Sequence, residues 1–208
     1  MKTKFETRSL VLLGLLTAIL MLMSYTPLGY LNIGPLAITL NIIPVAIAAI
    51  ALGPKGGAVI GAVFGITSFL QCIGIGGTSA MGAVLFGISP FPAFVQRFIP
   101  RVLTGLITGF VFKLVQKKAG NTLSCFIAGF SSAFLNTVFF MTSLVLLFGN
   151  TDYIKELMDG RNVIVFICSF VGINAVFEMI ASTLVSGLVG VALFKSGLVR
   201  INTEKVAA

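Results

Sequence analysis

Apolar stretches of helical length alternate along this chain with short runs of polar, glycine or proline residues. The first stretch covers about 8–24 and gives way to the loop "TPLGYLNIGP", with prolines at 27 and 35. A short second stretch, 40–52, closes on "GPKGG" (53–57), where proline ends a helix and the glycines permit unusual dihedrals. The pattern then predicts helices over 57–73, 98–116, 122–148 and 162–195. Residues 74–95 are so rich in Gly, Ser and Pro that a structured loop is the expectation there. A membrane span takes roughly 20 residues. The 40–52 segment is therefore too short to cross as a straight helix, and the last helix has to tilt or protrude. The predicted fold is a single all-α membrane domain over 1–208 with six transmembrane helices.

Composition agrees: 57% of residues are hydrophobic and 10% charged, against about a quarter charged in soluble domains. The net charge of +8 does not form a nucleic-acid-binding stripe, because the cations sit between apolar segments. Lys2, Lys4 and Arg8 precede the first helix, and Lys55 lies in the 2–3 turn. Lys113, Lys117 and Lys118 mark the 4–5 connection, and Lys195, Arg200 and Lys205 the end. The positive-inside rule then places both termini in the cytoplasm. The 1–2, 3–4 and 5–6 loops face outward, the last carrying Asp152, Glu156 and Asp159 beside Lys155 and Arg161. Such long, sparsely charged outer loops either fold over a ligand or simply connect helices. The start, "MKTKFETRSLVLLGLLTAILML", resembles a signal peptide, but no A-x-A site follows and it reads as a retained helix. Cys72, Cys125 and Cys168 are odd in number and lack CxxC spacing, which suits small buried hydrophobes. With no His, no metal site is expected.

Gly57, Gly61 and Gly65 repeat every four residues, as do Gly105 and Gly109, which predicts close helix packing within the chain. Gly14 and Ala18 on the first helix either pack likewise or dock a partner.

Several polar residues interrupt the apolar helices: Asn41, Gln71, Gln96, Arg97, Arg101, Asn136, Asn174 and Glu178. A charge at mid-membrane costs about 2.5–3.5 kcal/mol on insertion scales, so such groups face a bundle interior or a wet cavity. Arg97 and Arg101 are one turn apart and share a face, as do Asn174 and Glu178. The arginines either snorkel to headgroups and loop carbonyls or clamp an anion, since guanidinium matches a carboxylate bidentately. Asn136 suits an interhelical bond or a ligand contact. Glu178 suits a salt bridge to an arginine or acceptance from a ligand hydroxyl or amide. "GPKGG" lacks Walker spacing, and the chain has no HExxH, no GxSxG and no convincing carboxylate pair. The reading is solute capture by a non-enzyme. A self-sufficient channel or a membrane-embedded enzyme is the competing class.

"LNIIPVAIAAIALGPKGGAVIGAVFGITSFLQ" (40–71) and "PRVLTGLITGFVFKLVQKK" (100–118) resemble the helix 2–turn–helix 3 and helix 4 regions of S components. These are the substrate-binding subunits of energy-coupling factor (ECF) vitamin transporters. The resemblance implies tight vitamin binding from outside by outer loops and helices 4–6. It also implies docking through the first helix, here Gly14 and Ala18, onto a membrane scaffold subunit that two cytoplasmic ATPases drive. ATP would then be used by partner chains, with no cofactor in this one. The stretch 26–50 most resembles pantothenate-type members, though it reads "NIIPV" where those often have "HIPV". Pantothenate offers one carboxylate, two hydroxyls and an amide. Arg97 or Arg101 could serve the first, and Gln71, Asn136, Asn174 and Glu178 the others, with Asn41 in the candidate set. Riboflavin or another B vitamin is the alternative cargo.

Overall fold

A computed structural model describes residues 7–31, 38–77 and 79–199. Lys2, Lys4, Arg200 and Lys205 of the charge argument lie outside them. The order is α1 (Thr7–Ser24), β1 (Tyr30–Leu31), β2 (Ile38–Thr39), α2 (Ile42–Leu70), α3 (Ala80–Ile88), α4 (Pro90–Phe148), α5 (Asp152–Met158) and α6 (Val163–Lys195). A short 3₁₀ turn, Gln71–Ile73, follows α2.

Two of these helices are hairpins. Gly53 has φ 72° and is followed by Pro54, so α2 reverses within "GPKGG". Gly120 has φ 74° and does the same for α4. Both are left-handed conformations that glycine adopts without steric cost. Ala49 consequently meets Gly57 across the first hairpin. Arg97 and Arg101 meet Phe140 across the second. The expected breaks between helices 2 and 3 and between 4 and 5 are therefore where the chain turns.

The expected loop over 74–95 is corrected. It contains α3, and α4 begins at Pro90 rather than near 98. The residues that suggested a loop are punctuation. Ser79 caps α3 by accepting the Gly82 N–H at 3.2 Å. Ser89 is extended, with φ −159°, and separates the two helices. Pro90 sits at the first helical position, where a missing N–H costs nothing. Two further elements that the sequence did not predict lie in the connections. Strands β1 and β2 pair antiparallel, Tyr30 opposite Thr39, and α5 occupies the 5–6 loop.

The glycine stripes pack as predicted. A Cβ on Gly105 would lie 2.0 Å from the Gly57 carbonyl oxygen, and one on Gly61 2.3 Å from that of Arg101. A Cβ on Gly109 would lie 2.5 Å from Pro54. The second limb of α2 and the first limb of α4 thus run antiparallel, backbone against backbone. On the other side, Ser182 donates to the Gly129 carbonyl at 2.8 Å and zips α6 to the second limb of α4. Gln71 ties α2 to the end of α1, donating to the Ser24 carbonyl at 2.8 Å. Arg8 donates to the Gly197 carbonyl at 2.9 Å, so the start of α1 and the end of α6 share one end of the bundle.

Polarity is inverted relative to a soluble domain. Asn41, Gln96, Thr104 and Ser132 are fully buried, while Ile173 is 82% and Leu146 78% exposed. Among the described residues, the segments Thr7–Ser24, Ile42–Ile73, Pro90–Phe148 and Val171–Lys195 are long and apolar enough to cross a membrane. At 1.5 Å per residue, 33 residues of α6 reach about 50 Å, beyond a core of about 30 Å.

Candidate functional site

A cavity of about 640 Å³ opens between the α1–β1 segment, Gly76, Gly77 and Ser79, and the inner faces of α2, α4 and α6. Six of the seven predicted ligand residues line it: Gln71, Arg97, Arg101, Asn136, Asn174 and Glu178. Asn41 does not. It is fully buried at the start of α2, and neither of its amide atoms has a hydrogen-bond partner among the described residues.

Arg97 is 7% and Arg101 4% exposed, so neither snorkels to a surface. Arg97 donates to the Ser79 hydroxyl at 3.2 Å. The space it occupies exists because residue 82 has no side chain: a Cβ there would lie 2.9 Å from Arg97 Nη2. Arg101 donates to the Gln96 carbonyl at 3.4 Å. That carbonyl is free because residue 100 is proline and has no N–H to return to it. Both Nε atoms lack a partner among the described residues. The one ion pair among those residues is Arg161 with Asp159, on the exposed 5–6 loop, and it holds neither cavity arginine.

Glu178 is the cavity's carboxylate. Its Oε1 accepts the Thr39 backbone N–H at 2.7 Å, which ties α6 to β2. Of the two readings of Glu178, the salt bridge to an arginine is not formed among the described residues. Asn136 and Thr39 line the cavity, and their Oδ1 and Oγ1 atoms are buried without hydrogen-bond partners among the described residues. The Tyr30 hydroxyl lies beside Asn41 and Ser68 and makes no well-aligned hydrogen bond among the described residues. Burial pushes the Tyr30 phenol above its ordinary range. Unpaired buried polar groups are costly. Tyr30, Thr39 and Asn136, which carry three of them, line one space.

Ser79, Thr39, Tyr30, Phe64 and Phe140 also line the cavity and were not among the predicted site residues. Ser79 was legible as an N-cap serine ahead of an apolar run. Phe64 and Phe140 carry no sequence signal, being two of 19 phenylalanines in an apolar chain.

An apolar exterior wrapped around a charged, solute-sized chamber defines a multi-pass membrane protein that holds a small polar molecule. The chain belongs to the family of ECF transporter substrate-specific components, whose model matches residues 8–190. It is 32% identical over 193 residues to a pantothenate transporter, PanT, of Leuconostoc mesenteroides, covering 89% of this chain and 91% of that protein. It is 30% identical over 161 residues to a pantothenic acid transporter, PanT, of Lactococcus lactis, covering 71% and 78% respectively.

Proposed function

We propose that this chain is the pantothenate-binding subunit of an ECF importer, and that Arg97 and Arg101 seat the vitamin's carboxylate. The observation that carries the reading is a charge count. The cavity holds two arginines and one glutamate, joined by no ion pair among the described residues. A monoanion brings that set to neutrality, whereas a neutral ligand leaves a buried cation uncompensated. In this reading Asn136, Asn174, Glu178 and Gln71, which line the same cavity, meet hydroxyl and amide groups further along the ligand. Calorimetry on the purified chain tests this. Pantothenate should bind below micromolar concentration, and Arg97→Ala should weaken it by at least about tenfold, or 1.4 kcal/mol. Binding that survives the substitution within about twofold removes the clamp, and riboflavin binding in its place removes the cargo.

The topology that goes with this function is six crossings with both termini cytoplasmic. The two hairpins and the shared end of α1 and α6 support it, as does the clustering of Lys55, Lys113, Lys117, Lys118 and Lys195 at the connections on that end. Single cysteines at 55 and 118 should react with impermeant thiol reagents only from the cytoplasmic side.

The chain transports in concert with a scaffold and two ATPases and catalyses no reaction itself; ATP is consumed by those partners. Gly14 and Ala18 form the docking face in this reading. Both are exposed, and nothing lies within 4 Å of a Cβ built on Gly14. Gly14→Leu should leave vitamin binding unchanged and abolish co-purification with the scaffold. An intact complex with Leu at 14 would place docking elsewhere.

A further inference from the structure

Two guanidinium groups one helical turn apart, both buried and neither paired with a carboxylate among the described residues, repel each other and are poorly solvated. Their hydrogen bonds do not explain how they are held. Arg97 has the Ser79 hydroxyl, Arg101 has one carbonyl at 3.4 Å, and both Nε atoms lack partners among the described residues. What the two share is a ring. The Arg97 guanidinium carbon stands 5.3 Å from the centroid of Phe140, and that of Arg101 stands 4.4 Å from it. Arg101 also stands 5.3 Å from the centroid of Phe64. Both rings are buried, at 8% and 1% exposure.

Each ring reaches this place through a glycine. Gly120 folds the second limb of α4 back on the first, which brings residue 140 opposite 97 and 101. Gly61 lets the Arg101 backbone approach α2 closely, which brings Phe64, one turn on, to the guanidinium.

We infer that Phe140, backed by Phe64, is the positioning residue of the anion seat. A ring's negative π-face attracts a guanidinium without using up its N–H donors. A carboxylate in the same place would hold the arginines equally well but would occupy the donors that a ligand needs. The ring thus keeps two cations oriented in the empty cavity and leaves their N–H groups available. Preference for an acid over its neutral amide would then depend on residue 140 as well as on the arginines. This deepens the proposed function and rests on it for the choice of ligand; the seat itself can be probed without one.

The probes are pantothenate and its uncharged primary amide, titrated by calorimetry into the full chain in detergent. Phe140→Leu should weaken pantothenate by about tenfold, leave the amide within about twofold, and be rescued by Phe140→Tyr, in line with a desolvated cation–π contact. Equal weakening of both probes, or of neither, overturns the proposal. Should the leucine variant fail to fold, stepwise fluorination of Phe140 keeps the shape and drains the π-face. Pantothenate affinity should then fall with each fluorine, and a flat series overturns the proposal. If the wild-type chain binds neither probe, it is the pantothenate reading that fails. Thermal unfolding without ligand then decides the seat. Phe140→Leu should lower the midpoint more in the arginine-bearing chain than in Arg97→Met/Arg101→Met, and equal shifts would discard the ring's role.

Discussion

One pair of helices, the second limb of α2 and the first limb of α4, is closed at one end and open at the other. At the closed end Gly57 faces Gly105 and Pro54 faces Gly109, and the two backbones touch. At the open end the same stripe runs out at Gly65, against Phe98, and the inner face of α4 passes to Arg101, Arg97 and Gln96. Small residues leave nothing between the helices there to hold a solute. Arg101 and Arg97 stand where the α4 backbone still packs on Gly61 and Gly65, and their large side chains line the space beside that seam. The contrast locates the cavity: its lining begins at Phe64 and Arg101, level with the last glycines of the stripe.

The largest effect should come from forcing the closed end open. A side chain on Gly105 would meet backbone, its Cβ 2.0 Å from the Gly57 carbonyl oxygen. Backbone cannot swing aside as a side chain can. Gly105→Leu should destabilise the chain by about 3 kcal/mol, the upper end of ordinary overpacking. Thermal unfolding in detergent reads this directly. A variant that melts with the parent would show that the seam yields and that closure there is not what shapes the cavity.

Much of this contrast was legible in the sequence, because it rests on period and composition. Glycines at four-residue spacing announced the seam, and two arginines at the same spacing announced the exception. The hairpin positions were legible too, since "GPKGG" and the Lys117–Asn121 connection break apolar runs that are otherwise continuous. What escaped is what depends on where the chain returns in space. The 74–95 region looked like a loop because Gly, Ser and Pro count against a helix in its interior. At its ends they favour one, as Ser79 and Pro90 do. Asn41 looked like a ligand group because it interrupts an apolar stretch, yet it is buried outside the cavity lining. Phe140 gave no sign, because its partners are some 40 residues away along the chain. Polarity shows that a residue must be explained, and only the fold shows to which neighbour.

A smaller effect should follow from a methyl group at the open end. In Gly82→Ala the new Cβ would press on Arg97 Nη2 and on Cys72 Sγ, both side-chain atoms that can move. Alanine also favours a helix over glycine. Stability should therefore hold or rise slightly while Arg97 is displaced, and pantothenate affinity should drop about tenfold, or 1.4 kcal/mol. Here the two ends separate cleanly, since one glycine is required by the fold and the other by the site. Unchanged affinity with the melting point preserved would mean that Arg97 reaches the ligand from more than one position.

The smallest effect belongs to Pro100. Its ring leaves the Gln96 carbonyl without a helical partner, and Arg101 takes that carbonyl at 3.4 Å. Pro100→Ala restores an N–H four residues on, which competes for the same oxygen. The helix should gain stability, because proline is the poorest interior residue. Arg101 should lose its one hydrogen-bonded anchor among the described residues while keeping its two aromatic faces. A long contact of this kind contributes at the low end of the 0.5–1.5 kcal/mol range, so affinity should fall only about threefold. Calorimetry and melting measured on the same sample should move in opposite directions. If both rise together, the proline is a defect that the open end merely tolerates, and the freed carbonyl does not position Arg101.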